Sequence, residues 1–239
     1  MEEAFSRTAL VLGDRAMEKL AKAHVAVLGL GGVGGYAVEA LARSGVGELT
    51  LVDQDELGPS NLNRQLLATT DTLGMPKAQA AAQRVRSINP HCVTHPMVWR
   101  YTAESREEFF AGRYDYIIDC IDLVSCKLDL IETALARGIP IISALGTGNK
   151  VDPCQFQVAD ISKTQGCHLA RIIRKELGRR GIRHHKVVFS PELPQAAQAP
   201  DEAPPPGRRS IPGSVAWVPG CAGLMLGGTV VMDLVAQDR

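Results

Sequence analysis

The 239-residue chain carries 26 Lys+Arg and 26 Asp+Glu, with 45% hydrophobic and 22% charged residues, ordinary proportions for a soluble globular protein. The balanced charge provides no net field to draw in nucleic acid, so any such binding must come from a local patch. The length suits one large α/β domain that buries a full core without disulfide staples.

The chain opens Met-Glu-Glu, without the basic and apolar regions of a secretory signal, and a cytoplasmic location is expected. Its cysteines (Cys92, Cys120, Cys126, Cys154, Cys167 and Cys221) are scattered without a C-x-x-C pair. Reduced thiols are expected, and a structural zinc site is not.

In chain order, Asp14 is placed to cap a first helix running to Ala23. The stretch "HVAVLG" reads as a fully buried strand, Val33–Ser44 as a helix ended by Gly45, and "GELTLVD" as a second strand. Pro76 opens a helix through Ser87 whose Ala78, Ala81, Ala82 and Val85 form an apolar stripe, and Asn89-Pro90 ends it. "CVTHPMV" is a weak strand, Ala103–Ala111 a short helix, "YDYIIDC" a strong strand, Val124–Arg137 a helix and "IPIISAL" another strand. The alternation predicts a Rossmann-like, doubly wound and mainly parallel sheet.

After Gly148 the rhythm changes. "CQFQVAD" and "KVVFS" are additional strands flanking a basic helix. Pro191–Gly213 is Pro- and Ala-rich and reads as a flexible loop. The apolar stretch Val215–Met232 contains Pro219 and four glycines, and reads as a buried strand followed by a small-residue helix at a subunit interface. Stable membrane insertion is not expected, with peripheral attachment the alternative. The whole is read as one domain.

Gly29, Gly31 and Gly34 form G-x-G-x-x-G directly between a strand and a helix. This turn brings backbone N–H groups and the positive helix end against phosphate oxygens. Asp53, ending the second strand, is placed to accept the ribose hydroxyls. Which nucleotide binds is decided farther on. Asn61, Arg64 and Gln65 follow the second strand, Lys77 starts the next helix, and Asp122 follows "YDYIIDC". Arg64 and Lys77 can neutralise a triphosphate, and Asp122 can hold Mg²⁺. Hydride transfer needs no such groups, so ATP is favoured over NAD.

"GLGGVG", "LVDQD", "SNLNRQ", "MPK" and "IDCID", in this order, resemble the ubiquitin-activating-type (ThiF/MoeB-like) adenylyltransferase superfamily over about residues 5–148. The tail, with "ALGTGNKVDP", "QVADISKT", "KVVFS" and "RRSIPGSVAWVPGCAGLMLGG", looks like the tRNA threonylcarbamoyladenosine dehydratases. The resemblance implies ATP-dependent cyclisation of threonylcarbamoyladenosine beside the tRNA anticodon, through adenylation of the threonyl carboxylate and ring closure within the same base. It implies that the Gly32 backbone approaches the phosphates, that Asp53 holds the ribose, and that Ser60, Asn61, Arg64 and Lys77 line the triphosphate. Asp122 becomes the metal and catalytic carboxylate. Arg7 in "FSRT" resembles an arginine that reaches the partner subunit's site, implying a homodimer.

Leu123 departs from the family's usual polar residue, and the zinc-binding C-x-x-C pairs of the sulfur-carrier activators are absent. A thiol function for Cys221, a monovalent cation beside "GTGNK" and a sulfur-transfer partner protein are left open. Lys163–Lys186 contains eight Lys/Arg against one Glu. Arg171, Arg174, Arg179 and Arg180 are therefore candidates to dock tRNA. Activation of a sulfur-carrier or ubiquitin-like C-terminus, and a non-catalytic nucleotide-binding scaffold, are the alternatives.

Overall fold

The computed structural model describes residues 3–196 and 212–236. Helices α1 (Ser6–Leu12) and α2 (Asp14–Lys22) lead into β1 (His24–Leu28), α3 (Gly34–Arg43) and β2 (Glu48–Val52). Then come α4 (Lys77–Ile88), β3 (Val93–Met97), the short α5 (Arg106–Phe109), β4 (Tyr116–Asp119), α6 (Val124–Ala136) and β5 (Ile141–Ala144). The remainder is β6 (Gln157–Asp160), α7 (His168–Arg179), β7 (Lys186–Phe189) and α8 (Trp217–Ala236).

The strands form one seven-stranded sheet in the order β3-β2-β1-β4-β5-β7-β6. Every neighbouring pair is parallel except β6 with β7. The order reverses between β1 and β4. That reversal opens a crevice at the carboxyl ends of the strands, the usual ligand position in such sheets. Strand side chains alternate between two cores. Val25 and Val27 face α3, α4 and α8, whereas Ala26 and Leu28 face α6 and α7.

The predicted strands form, but the two ends of the chain differ from expectation. Asp14 is the first residue inside α2, with Gly13 as N-cap, and α1 precedes it. At the other end no strand precedes the helix among the described residues 212–216, and α8 runs unbroken for 20 residues. Pro219 sits in its first turn, where a missing N–H costs nothing. The glycines of this small-residue helix permit close helix packing. A Cβ on Gly223 would lie 2.2 Å from Val33 O, and one on Gly227 would lie 2.6 Å from Ala40 Cβ. By length and hydropathy α8 could cross a membrane, but 56% of its apolar window is buried inside the protein.

Most of the expected loop Pro191–Gly213 lies outside the described residues. Its start is anchored rather than loose. Glu192 is buried and accepts the N–H groups of Val151 and Asp152 at 3.0 and 3.1 Å. All six cysteines are free thiols.

Candidate nucleotide site

The turn after β1 is shaped by contacts only glycine permits. Gly29 has φ +87°, and a Cβ there would lie 2.5 Å from Cys120 O. At Gly34 it would lie 1.8 Å from Gly29 O, and at Gly32 it would press on Pro219 at 3.2 Å. Gly31 is different. The nearest atom to its Cβ position is Gln65 Nε2, at an ordinary 3.8 Å. Protein packing therefore demands Gly29 and Gly34, while the space beside Gly31 is left open. Directly behind it begins the ten-residue α3, whose amino-terminal end carries the positive pole of the helix.

Asp53 ties β2 to this loop. Its Oδ2 accepts the Leu30 N–H at 2.7 Å and its Oδ1 accepts the Asp55 N–H at 2.8 Å. Burial raises the carboxyl's proton affinity, opposed by the Lys77 charge and by these two N–H donors. Each oxygen retains a lone pair for a sugar hydroxyl. Lys77 is buried, and its ammonium lies 3.1 Å from Asp55 Oδ2. It therefore stands between two carboxylates. Asp55 was not identified from the sequence, although the pattern "DQD" after a strand contains it.

The segment after β2 closes over the loop. Gly32 packs 3.5 Å from Arg64 O, and Gly35 lies 3.5 Å from Leu67 Cγ, measured from the Cβ positions. Buried Leu67 and Ala68 anchor the segment in the core. Asn61 Oδ1 accepts the Gly58 N–H at 3.1 Å, shaping the turn in which exposed Ser60 sits. The Arg64 guanidinium donates to Ser60 O at 2.8 Å and to Asn63 Oδ1 at 2.9 Å. Gln65 is buried, yet its Oε1 finds no partner among the described residues. An unpaired buried amide oxygen beside a phosphate-type loop is the kind of atom a ligand hydroxyl or amino group satisfies.

Asp122 and Leu123 are exposed where β4 ends, two residues beyond Cys120, which donates its N–H to Leu28 O at 2.8 Å. The glycine loop, Asp53, Ser60, Asn61, Arg64, Lys77 and Asp122 thus occupy one rim at the reversal of strand order. Arg7 is not brought there within one chain. Phe5 packs on Gly45, past the far end of α3, and Arg7 follows on exposed α1.

The basic helix is less uniform than its sequence suggests. Arg171 is exposed and contacts His168 Nδ1 at 3.0 Å. Arg174 clamps Thr164, donating to its O at 2.7 Å and its Oγ1 at 2.6 Å. Arg179 pairs with Glu176 at 2.7 Å and Arg180 with Glu132 at 2.5 Å. The helix starts at the crevice edge, where Cys167 Sγ meets Gly146 at 3.0 Å from its Cβ position. Arg179 and Arg180 sit at its other end, about 18 Å away by helix rise.

A buried polar network beneath the rim was not identified from the sequence. Lys127 Nζ lies 2.6 Å from Asp119 Oδ2, and Ser143 Oγ donates to the same oxygen at 2.6 Å. Ser143 in turn meets His185 Nε2 at 2.7 Å. Asp119 Oδ1 accepts the Ile121 N–H at 3.0 Å, fixing the turn that presents Asp122. The available signal was Lys127 beside the buried positions Cys126, Leu128, Leu130 and Ile131.

Comparison with known proteins identifies the family. The sequence profile of the ThiF family matches residues 5–230. The tRNA threonylcarbamoyladenosine dehydratase of Bacillus subtilis is 44% identical over 243 residues, covering 98% of this chain and 96% of that one. The crystal structure of the Escherichia coli dehydratase TcdA in complex with ATP matches with a TM-score of 0.88 at 33% identity, over 98% of this chain and 94% of that one. The sulfur carrier protein ThiS adenylyltransferase of E. coli is 35% identical over 66% of this chain and 63% of its own length. The chain belongs to the ThiF family, and within it to the tRNA threonylcarbamoyladenosine dehydratases.

Proposed function

We propose that this chain binds ATP at the rim and uses it to dehydrate threonylcarbamoyladenosine in tRNA to a cyclic form. The observation that carries the reading is that end-to-end likeness to a dehydratase coincides with the rim assembled from the glycine loop, Asp53, Arg64, Lys77 and Asp122. In the first step a threonyl carboxylate oxygen bonds to the α-phosphorus of ATP and pyrophosphate leaves. In the second, a nucleophilic atom of the same modified base attacks the activated carboxyl carbon and gives up its proton. AMP departs and the ring closes, so the base loses one water.

A carboxylate approaching a polyphosphate faces repulsion between anions. Backbone N–H groups of Gly31 and Gly32, the start of α3, Arg64 and Lys77 answer it with fixed positive charge. No side-chain nucleophile is required, because the activated acyl group is made on the nucleotide. Asp53 orients the ribose. The exposed Asp122 carboxylate is a hard oxygen donor of the type Mg²⁺ shares with phosphates, and is the residue that would hold that ion. When bound, the ion supplies further charge neutralisation.

In this reading the enzyme is cytoplasmic and homodimeric. Exposed Leu10 and Val11 beside Arg7 on α1 support a second copy covering that helix and receiving Arg7 at its own rim. Basic residues of α7, foremost exposed Arg171, face the tRNA.

The test is incubation of the full chain with ATP, Mg²⁺ and threonylcarbamoylated tRNA, followed by mass analysis of the nucleosides. Loss of one water from the modified base with equimolar AMP supports the reading. An unchanged base, or AMP formation that requires a sulfur-carrier protein instead of tRNA, overturns it.

A further inference from the structure

Away from the rim, three adjacent parallel strands bring His24 (β1), Glu48 (β2) and His95 (β3) onto one face of the sheet. The strand register pairs His24 with Glu48, and Thr50 with His95. His95 Nε2 lies 2.7 Å from Glu48 Oε1, and His24 Nδ1 lies 3.5 Å from the same oxygen. The two imidazole rings are 5.6 Å apart between centroids. One ligand atom from each of the three residues falls within 4.8 Å of the others.

A second observation concerns how His24 is held. Its Nε2 is 2.8 Å from the hydroxyl of Thr50, a residue only 3% exposed. A hydrogen bond at one ring nitrogen fixes the tautomer and leaves the other as a lone-pair donor, which is how metal-binding histidines are oriented. Here Nε2 meets Thr50 Oγ1, and Nδ1 is directed at Glu48. An ordinary surface ion pair needs no such support.

The three residues line a cavity of about 730 Å³. Its other charged groups are Lys22, Arg113, Glu108 and Asp115, so with Glu48 carboxylates outnumber cationic side chains. Tetrahedral zinc with bonds of about 2.0–2.2 Å separates its ligand atoms by about 3.3–3.6 Å. The present spacing reaches that through small shifts of half-exposed His95 and Glu48.

We propose that His24, Glu48 and His95 form a binding site for a borderline divalent cation of the Zn²⁺ type, clamping edge strand β3 to the sheet. Two imidazoles and one carboxylate suit that class rather than Mg²⁺ or Ca²⁺, which take oxygen ligands. The site is distinct from the nucleotide rim: His24 begins β1 and Gly29 follows its end, about 16 Å along the strand. Its role is structural, and its ligands are not the cysteines that dominate closed zinc sites.

The test is calorimetric titration of the full chain with Zn²⁺ alone, in buffer containing excess Mg²⁺, with thermal unfolding monitored in parallel. One Zn²⁺ per chain and a raised Tm are expected. His95→Gln and Glu48→Gln should each weaken Zn²⁺ affinity at least about tenfold and abolish the Tm rise. Thr50→Val, which leaves all three ligands in place, should weaken affinity about ten- to a hundredfold. Co²⁺ in place of Zn²⁺ should give a visible absorption band that is lost in His95→Gln. Absence of Zn²⁺ binding, or binding unaffected by His95→Gln and Glu48→Gln, overturns the proposal. AMP release by His95→Gln should equal that of the parent chain.

Discussion

Lys127 Nζ lies 2.6 Å from Asp119 Oδ2, and neither side chain has any exposure to solvent. The pair sits under the end of β4 and holds the turn leading to Asp122. Removing one member leaves the other charge buried, which costs about 3–5 kcal/mol. Lys127→Met should therefore lower the free energy of unfolding by that amount in a urea titration. Removing both charges in Lys127→Met/Asp119→Leu should restore part of it. An unchanged urea midpoint in the single variant would show that the pair does not stabilise the fold.

The glycine loop separates packing from ligand binding. Gly34→Ala pushes a methyl group to 1.8 Å from Gly29 O, so soluble protein should be lost or its Tm sharply lowered. Gly31→Ala meets nothing closer than 3.8 Å and should unfold near the parent temperature. Its added methyl occupies the phosphate approach, so ATP affinity should fall at least about tenfold, the room-temperature equivalent of about 1.4 kcal/mol. Parent-like ATP titration of Gly31→Ala would contradict the assigned approach.

Asp122→Ala and Arg64→Ala should each reduce AMP release by at least about two orders of magnitude, the scale of losing one preorganised charge-stabilising group. Neither residue is buried, so thermal unfolding should change little. Near-parent turnover in either variant would remove that residue from the chemistry.

The strand–helix alternation was legible because buried parallel strands read as short apolar runs, and "HVAVL" and "YIID" do so plainly. The position of the glycine loop, Asp53 and Asp122 along one edge was legible because each directly follows the carboxyl end of a parallel strand. Other features depend on partners distant in sequence. Asp119 meets Ser143 across 24 residues, and Ser143 meets His185 across 42, so their burial has no local signature. The small-residue helix was read but not its start, for a related reason: the glycines of α8 answer to Val33 and to Tyr36 and Ala40 of α3. Helix α1 was missed because it buries no residue among its seven, leaving no strong periodic stripe. The arginines of α7 read as one patch because charge counts do not record which acids fold back onto them.

His185 is buried and held neutral, its pKa lowered to about 3 by desolvation and by the Lys127 charge. An unfolded histidine takes up its proton near pH 6.5. Between those values the unfolded chain binds the extra proton, so stability is full above pH 6.5 and falls as pH drops toward 3. The slope is about 1.4 kcal/mol per pH unit, or about 2 kcal/mol between pH 6.5 and 5. His185→Gln removes the titrating group, so its unfolding free energy should decline less over that interval. Equal declines in parent and variant would show that His185 is not the group responsible.

Arg171 and Arg174 lie one helical turn apart, yet they should respond oppositely to substitution. Arg174 gives two hydrogen bonds to buried Thr164, so Arg174→Ala should cost about 1.5–3 kcal/mol of stability, the range for bonds to charged groups. Arg171 is exposed at the crevice end of α7, and Arg171→Ala should leave unfolding unchanged. If it contacts a tRNA phosphate, its loss weakens binding by releasing one fewer condensed counterion. The slope of log affinity against log salt should then become shallower by about 0.7–0.9. Filter binding across a salt series measures this directly. A slope unaltered in Arg171→Ala would move the tRNA contact off this helix.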